Sequence, residues 1–160
     1  MHYGFLGWLS DLGPWARGIR AVLRPWGRLV LVEFHPVVFG FDAERRLVED
    51  IAGGVVIRNP DGVADYVGNS VGGLLHDAPD AAVVPERFVN PHPTAEFAWG
   101  LGELLDALLT AGLRVVHVRE YLHSNGHRAF PDMLALPGGR WAMPPGAPRM
   151  PLMLSVVAER

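Results

Sequence analysis

The run Leu29-Val30-Leu31-Val32 constrains the fold of this chain more than any other segment. Continuous aliphatic residues without polar alternation are the pattern of a strand covered on both faces, as in a parallel sheet. Its flanks agree. Upstream, Leu12, Trp15, Ala16, Ile19, Val22 and Leu23 recur at three- and four-residue steps, which predicts one buried face of a helix over 12–23. Asp11 can cap that helix, and Pro14 suits its first turn, where a missing N–H costs nothing. Arg24-Pro25-Trp26-Gly27 then reads as a type I turn, with proline second and glycine fourth. Downstream, the strand runs into Glu33-Phe34-His35-Pro36, placing polar groups at its C-terminal end, the edge where open α/β sheets bind ligands.

The remainder is uneven. Between 37 and 94 the pattern weakens into an irregular insertion punctuated by Gly53-Gly54, Asn59-Pro60-Asp61-Gly62 and Gly72-Gly73, with short strands expected over 51–58 and 64–67. Order returns over 99–112, where Leu101, Leu104, Leu105, Leu108 and Leu109 form a helical stripe closed by Gly112. A strand over 113–121, a long Pro/Gly/aromatic loop over 122–151 and a last strand over 152–158 follow. Neither an internal repeat nor a low-complexity tract is present, so one α/β domain over 1–160 is expected.

Composition excludes several functions. With 49% hydrophobic residues the chain can bury a core, while a net charge of −3 and 19% charged residues leave no basic surface for nucleic acid. No apolar stretch approaches the roughly 20 residues of a membrane helix, and the N-terminus has no basic region of an export signal, so a cytoplasmic protein without a membrane partner is expected. The absence of cysteine removes disulfides and thiolate chemistry. Arginine without lysine, beside 19 Gly and 14 Pro, suggests a GC-rich bacterial source.

Few residues stand out as chemical candidates. His123-Ser124-Asn125-Gly126-His127 has a four-residue histidine step, but Asn-Gly makes it a turn and no acidic ligand lies between, so no metal is expected. His117 alternates with Val115 and Arg119 on a strand face and reads as a packed or half-exposed histidine, not a catalyst. Glu33 and His35 follow the buried strand toward a substrate cleft. His35 is a candidate base, its ordinary pKa lying near working pH, or else only the residue that turns the chain into Pro36. His92, Trp99, Phe130 and Trp141 are candidates to line an apolar substrate pocket, or core.

Several segments carry a likeness. Gly7-Trp8-Leu9-Ser10-Asp11-Leu12 with Trp15-Ala16, then Leu23-Arg24-Pro25-Trp26-Gly27-Arg28-Leu29 and Glu33-Phe34-His35-Pro36, resemble a class I S-adenosylmethionine-dependent methyltransferase family around its fourth and fifth strands. Residues 103–113 resemble its next helix. Phe130-Pro131-Asp132, Arg140-Trp141 and the segment from Pro151-Leu152 resemble its closing hairpin. The family's turn is Pro-Gly-Gly, and Trp26 stands in place of the first glycine.

The resemblance implies an incomplete Rossmann-like sheet: one central parallel-type strand plus a C-terminal antiparallel strand pair, with flanking helices. It also implies S-adenosylmethionine as cofactor and a small-molecule methyl acceptor. Tyr3 and Gly4 would then correspond to the end of the fourth strand, beside the methionine part of the cofactor. The family's glycine loop and ribose-binding acid have no counterpart; Gly100-Leu101-Gly102 follows no hydrophobic strand and reads as the start of a helix. The chain is therefore expected to be truncated and inactive alone, Met1 being an internal methionine of a longer gene. The alternative is a cofactor-free binding module whose bare strand edge is covered by a homo-oligomer or partner chain.

Overall fold

A computed structural model describes residues 4–60, 62 and 92–160. Helix α1 (Leu12–Val22) starts where Asp11 accepts a hydrogen bond from the Gly13 N–H at 2.8 Å, the predicted cap. Its last turn is followed by the Arg24–Gly27 reversal, closed by Gly27 N–H donating to the Arg24 carbonyl at 2.8 Å. This is a type II turn, not the type I expected. Trp26 has φ 64°, the left-handed value that position i+2 of a type II turn requires and that glycine normally supplies. The turn keeps its shape because Gly27 is retained. A β-carbon there would lie 2.7 Å from the Arg24 carbonyl oxygen.

Strand β1 (Arg28–Phe34) leads into a 3₁₀ turn over Pro36–Gly40. Next come the antiparallel hairpin strands β2 (Gly53–Asn59) and β3 (Thr94–Trp99), helix α2 (Leu101–Thr110) and strand β4 (Arg114–Tyr121). Three short strands, β5 (His123–Asn125), β6 (Leu134–Leu136) and β7 (Arg140–Ala142), form a sheet ordered β5-β7-β6. Strand β8 (Met153–Glu159) follows them.

The main sheet is ordered β1-β8-β4, with β8 antiparallel to both neighbours. Strands β1 and β4 are therefore parallel to each other and joined only through β8. The expected antiparallel pair is β4 with β8. The central place belongs to β8, however, and among the described residues β1 pairs along one edge alone. Glu159 ties both flanks to the middle strand, accepting from Arg28 at 2.8 Å through one carboxylate oxygen and from Arg114 through the other.

Helices α1 and α2 pack side by side on one face of this sheet. Leu12, Ala16, Leu104, Leu108, Leu31, Leu154, Val156 and Ala158 are buried between them. Full burial of each such leucine or valine contributes roughly 1.5–3 kcal/mol. The opposite face is not covered as the aliphatic run suggested. Val30 is 65% exposed, and of β1 only Leu31 and Glu33, one strand face, are buried. A second core of Val38, Phe130, Met133 and Leu152 lies beneath the β5–β7 sheet and the 3₁₀ turn.

Two expected boundaries shift. Trp99 ends β3 instead of opening the helix, because its indole N–H donates to the Leu6 and Leu9 carbonyls at 3.1 and 2.9 Å and the helix starts after Gly100. The stretch 122–151, expected as loop, holds β5, β6 and β7, whose three-residue lengths are too short to show a period of two. Strand β2 lies where 51–58 was expected to be extended; the expected strand over 64–67 lies outside the described residues.

Candidate functional site

The C-terminal end of β1 organises the site. Glu33 is 3% exposed, yet its carboxylate meets four backbone donors. One oxygen accepts from Gly4 at 2.5 Å and Phe34 at 3.1 Å, and the other from Phe5 at 3.0 Å and Leu6 at 3.4 Å. A buried carboxylate is tolerable only when so satisfied. Here it nails the segment ahead of α1, including the 3₁₀ turn Leu6–Trp8, over the end of the strand.

His35 is 7% exposed and occupied at both ring nitrogens. Nδ1 accepts the Val37 N–H at 3.2 Å, capping the Pro36–Gly40 turn, and Nε2 lies 3.0 Å from Glu120 Oε1. Accepting at Nδ1 leaves the proton on Nε2, directed at the carboxylate. Burial pushes its pKa below the ordinary imidazole value, and the Glu120 carboxylate opposes that shift.

Between these elements and the β2–β3 hairpin lies a cavity of about 180 Å³. Leu6 and Gly7 of the clamped segment, Phe34 at the end of β1 and Phe39 of the turn line one side. Phe97 and Trp99 of β3 line the other, their rings stacked at 6.3 Å. The Trp99 indole N–H is spent on two carbonyls, so this wall is rigid. Among the described residues, four acidic ones, Glu33, Glu49, Asp50 and Glu96, also line the cavity, and no arginine or histidine does. Of these carboxylates, Glu33 is saturated and Glu96 accepts from Asn59 at 3.1 Å.

The hairpin reaches this position through two glycines. Gly53 has φ 97°, and a β-carbon on it would sit 1.8 Å from a Glu103 carboxylate oxygen; one on Gly100 would sit 2.0 Å from the Ala52 carbonyl oxygen. Only glycine lets the two backbones approach so closely. The Glu103 carboxylate accepts the Gly100 N–H at 2.9 Å, completing the start of α2. Gly100 is thus packed against hairpin backbone, whereas a β-carbon on Gly102 would meet nothing within 4 Å. With the Gly100 N–H spent on Glu103, this segment is the start of a helix and does not fit an S-adenosylmethionine loop.

The structure brings together only part of the candidate set. Gly4, Glu33 and Trp99 line the cavity. Tyr3 lies outside the described residues. Phe130, 1% exposed, and Trp141 belong instead to the second core, where the Arg128 guanidinium lies 5.0 Å over the Trp141 ring. His92 precedes β3, and neither it nor His35 is among the lining residues. His123 rests on Tyr121 at 5.7 Å, and His127 rests on Phe34 and Phe39 at 5.3 and 5.9 Å, so both rings serve packing. Phe39, Phe97, Glu49, Asp50 and Glu96 also line the cavity, and no sequence motif marks them. The alternation of Glu96 and Ala98 with Phe97 and Trp99 is the one sequence signal for Phe97 and Glu96; Phe39, Glu49 and Asp50 have none.

No family model matches the chain, and no curated protein matches it. Among solved structures, the chain is similar to an S-adenosylmethionine-dependent methyltransferase from Mesorhizobium loti, with a TM-score of 0.48 and 16% identity over 99% of this chain and 59% of that one. It is similar also to a Listeria monocytogenes protein provisionally assigned the same activity, with a TM-score of 0.48 and 13% identity over 99% of this chain and 58% of that one. This chain therefore spans less than two thirds of either. Among the described residues, no helix is long and apolar enough to cross a membrane.

Proposed function

We propose that this chain is the substrate-side part of an S-adenosylmethionine-dependent methyltransferase fold, and that it holds a small-molecule methyl acceptor without holding the cofactor itself. The observation that supports this reading most is the cavity at the C-terminal end of β1, the edge at which open α/β sheets take ligands. The methyltransferase-like segments around Trp8 and Glu33 build its walls. Glu33 positions the segment ahead of α1, and His35 positions the turn that carries Phe39. With both its nitrogens engaged, His35 is assigned no proton transfer. Aromatic walls exclude water from whatever occupies the cavity, which strengthens every polar contact inside it.

A cofactor-free binding module is the second reading, favoured by a cavity that the described residues form without a glycine loop. Two experiments separate the readings. Calorimetric titration of the purified chain with S-adenosylmethionine should give no heat of binding, and micromolar affinity would overturn the account of the cofactor site. Sequencing the DNA preceding the Met1 codon should reveal an in-frame strand followed by Gly-x-Gly-x-Gly. An in-frame stop just before Met1 would instead favour the binding module, with a homo-oligomer or partner chain on the open edge of β1.

A further inference from the structure

We infer that the cavity at the end of β1 selects a small single-ring amine in its ammonium form; this rests on the reading of that cavity as the ligand site. Size comes first. An apolar cavity of about 150 Å³ holds one benzene ring, so about 180 Å³ accommodates one ring and a short tail. The walls supply the ring's partners: Phe34 and Phe39 on one side, Phe97 and Trp99 on the other, with the stacked Phe97–Trp99 pair held in place by the indole N–H bonds.

Charge decides the tail. Among the described residues, every ionisable side chain lining the cavity is a carboxylate, and the chain contains no lysine at all. An anionic ligand would meet repulsion with no compensating cation. Glu33 cannot pair with a ligand without giving up backbone N–H groups, and Glu96 is partly committed to Asn59. Glu49 and Asp50 are exposed at the cavity's rim, and neither carboxylate has a side-chain partner among the described residues. A ring seated among the aromatics would place a short-tethered ammonium at that rim. Aromatic faces beside carboxylates are the composition that holds an ammonium, the ring quadrupole adding to the carboxylate charge.

The test is calorimetric titration of the full chain with three ligands of one shape: 2-phenylethylamine, 2-phenylethanol and phenylacetate. The expected order is the amine at least ~10-fold tighter than the alcohol, a difference of about 1.4 kcal/mol, with the carboxylate not bound. In the double variant Glu49→Gln/Asp50→Asn, amine and alcohol should bind alike. Both side chains are at the surface and support no hydrogen bond among the described residues, so the variant should melt like the parent. Equal binding of amine and alcohol by the parent chain, or binding of phenylacetate, would overturn the ammonium selectivity while leaving the cavity a ligand site. Binding of none of the three would overturn both. A preference that survives the double variant would remove Glu49 and Asp50 from the site and overturn the proposal as stated.

Discussion

Replacing Glu33 with glutamine changes one atom and tests the reasoning behind the site's architecture. The carboxylate accepts four N–H donors, two on each oxygen. The glutamine carbonyl can keep one pair, while its NH₂ group confronts the other pair, donor against donor. Two bonds to a charged acceptor, each contributing about 1.5–3 kcal/mol, are lost. Gly4 and Phe5 are only partly buried and can turn to water, which recovers some of that loss, so a net destabilisation of roughly 2–4 kcal/mol is expected. For a chain of this size that lowers the melting temperature by roughly 5–15 °C. Circular dichroism melts of parent and Glu33→Gln measure this. Limited proteolysis should in addition cut the variant ahead of α1, where the parent resists. A melting temperature lowered by less than about 2 °C would show that the clamp does not hold the segment, and the wall formed by Leu6 and Gly7 would need another explanation.

Three further predictions follow from local geometry. Trp26 is 85% exposed and sits at positive φ, so Trp26→Gly removes about 1 kcal/mol of strain, less the entropy glycine adds to the unfolded chain; a small rise in urea midpoint is expected, and a fall would refute the strain. Gly100→Ala drives a β-carbon into the Ala52 carbonyl and should cost more than about 2 kcal/mol, with Trp99 fluorescence shifting as the hairpin lifts; an unchanged spectrum and melt would contradict the close approach. Burial pushes the imidazoles of both His35 and His127 below their ordinary pKa, so the unfolded chain takes up protons first on acidification, and stability is lost as pH falls from about 6.5. His127→Phe keeps the contacts with Phe34 and Phe39 and should shrink the drop in melting temperature between pH 7.5 and 5.5; an undiminished drop would place the titration elsewhere.

Periodic and capped elements could be read in advance, whereas the site mostly could not. Asp11, the 12–23 stripe and the aliphatic run announced α1 and β1 because local rules and tertiary packing agree there. The run at 29–32 is apolar on both faces but covered on only one: Val30 is 65% exposed, so continuous aliphatic sequence does not by itself distinguish a central strand from an edge strand. Glu33 stands at the end of the strand, as its place in the sequence implies, but its carboxylate is spent on backbone and not turned to a substrate. Its four backbone partners could not be foreseen, since they come from a segment about thirty positions earlier that has no pattern of its own. Phe130 and Trp141 drew attention as aromatics near the closing hairpin, but the three-residue strands that turn them into a second core lie below any periodic signal. Phe97 and Phe39 line the same cavity because Gly53 and Gly100 let the hairpin approach α2, a close contact that no spacing rule encodes.

The central position of β8 also orders events in time. Glu159 of β8 meets Arg114, 45 positions away, and Arg28, 131 positions away. The loop-closure entropy difference between those separations is about 1 kcal/mol, roughly a five-fold preference for the nearer strand. The β4–β8 ribbon should therefore assemble first and act as the template onto which β1 docks. Since Glu33 near the end of β1 pins the segment that walls the cavity, the cavity is the last part of the described fold to come into being.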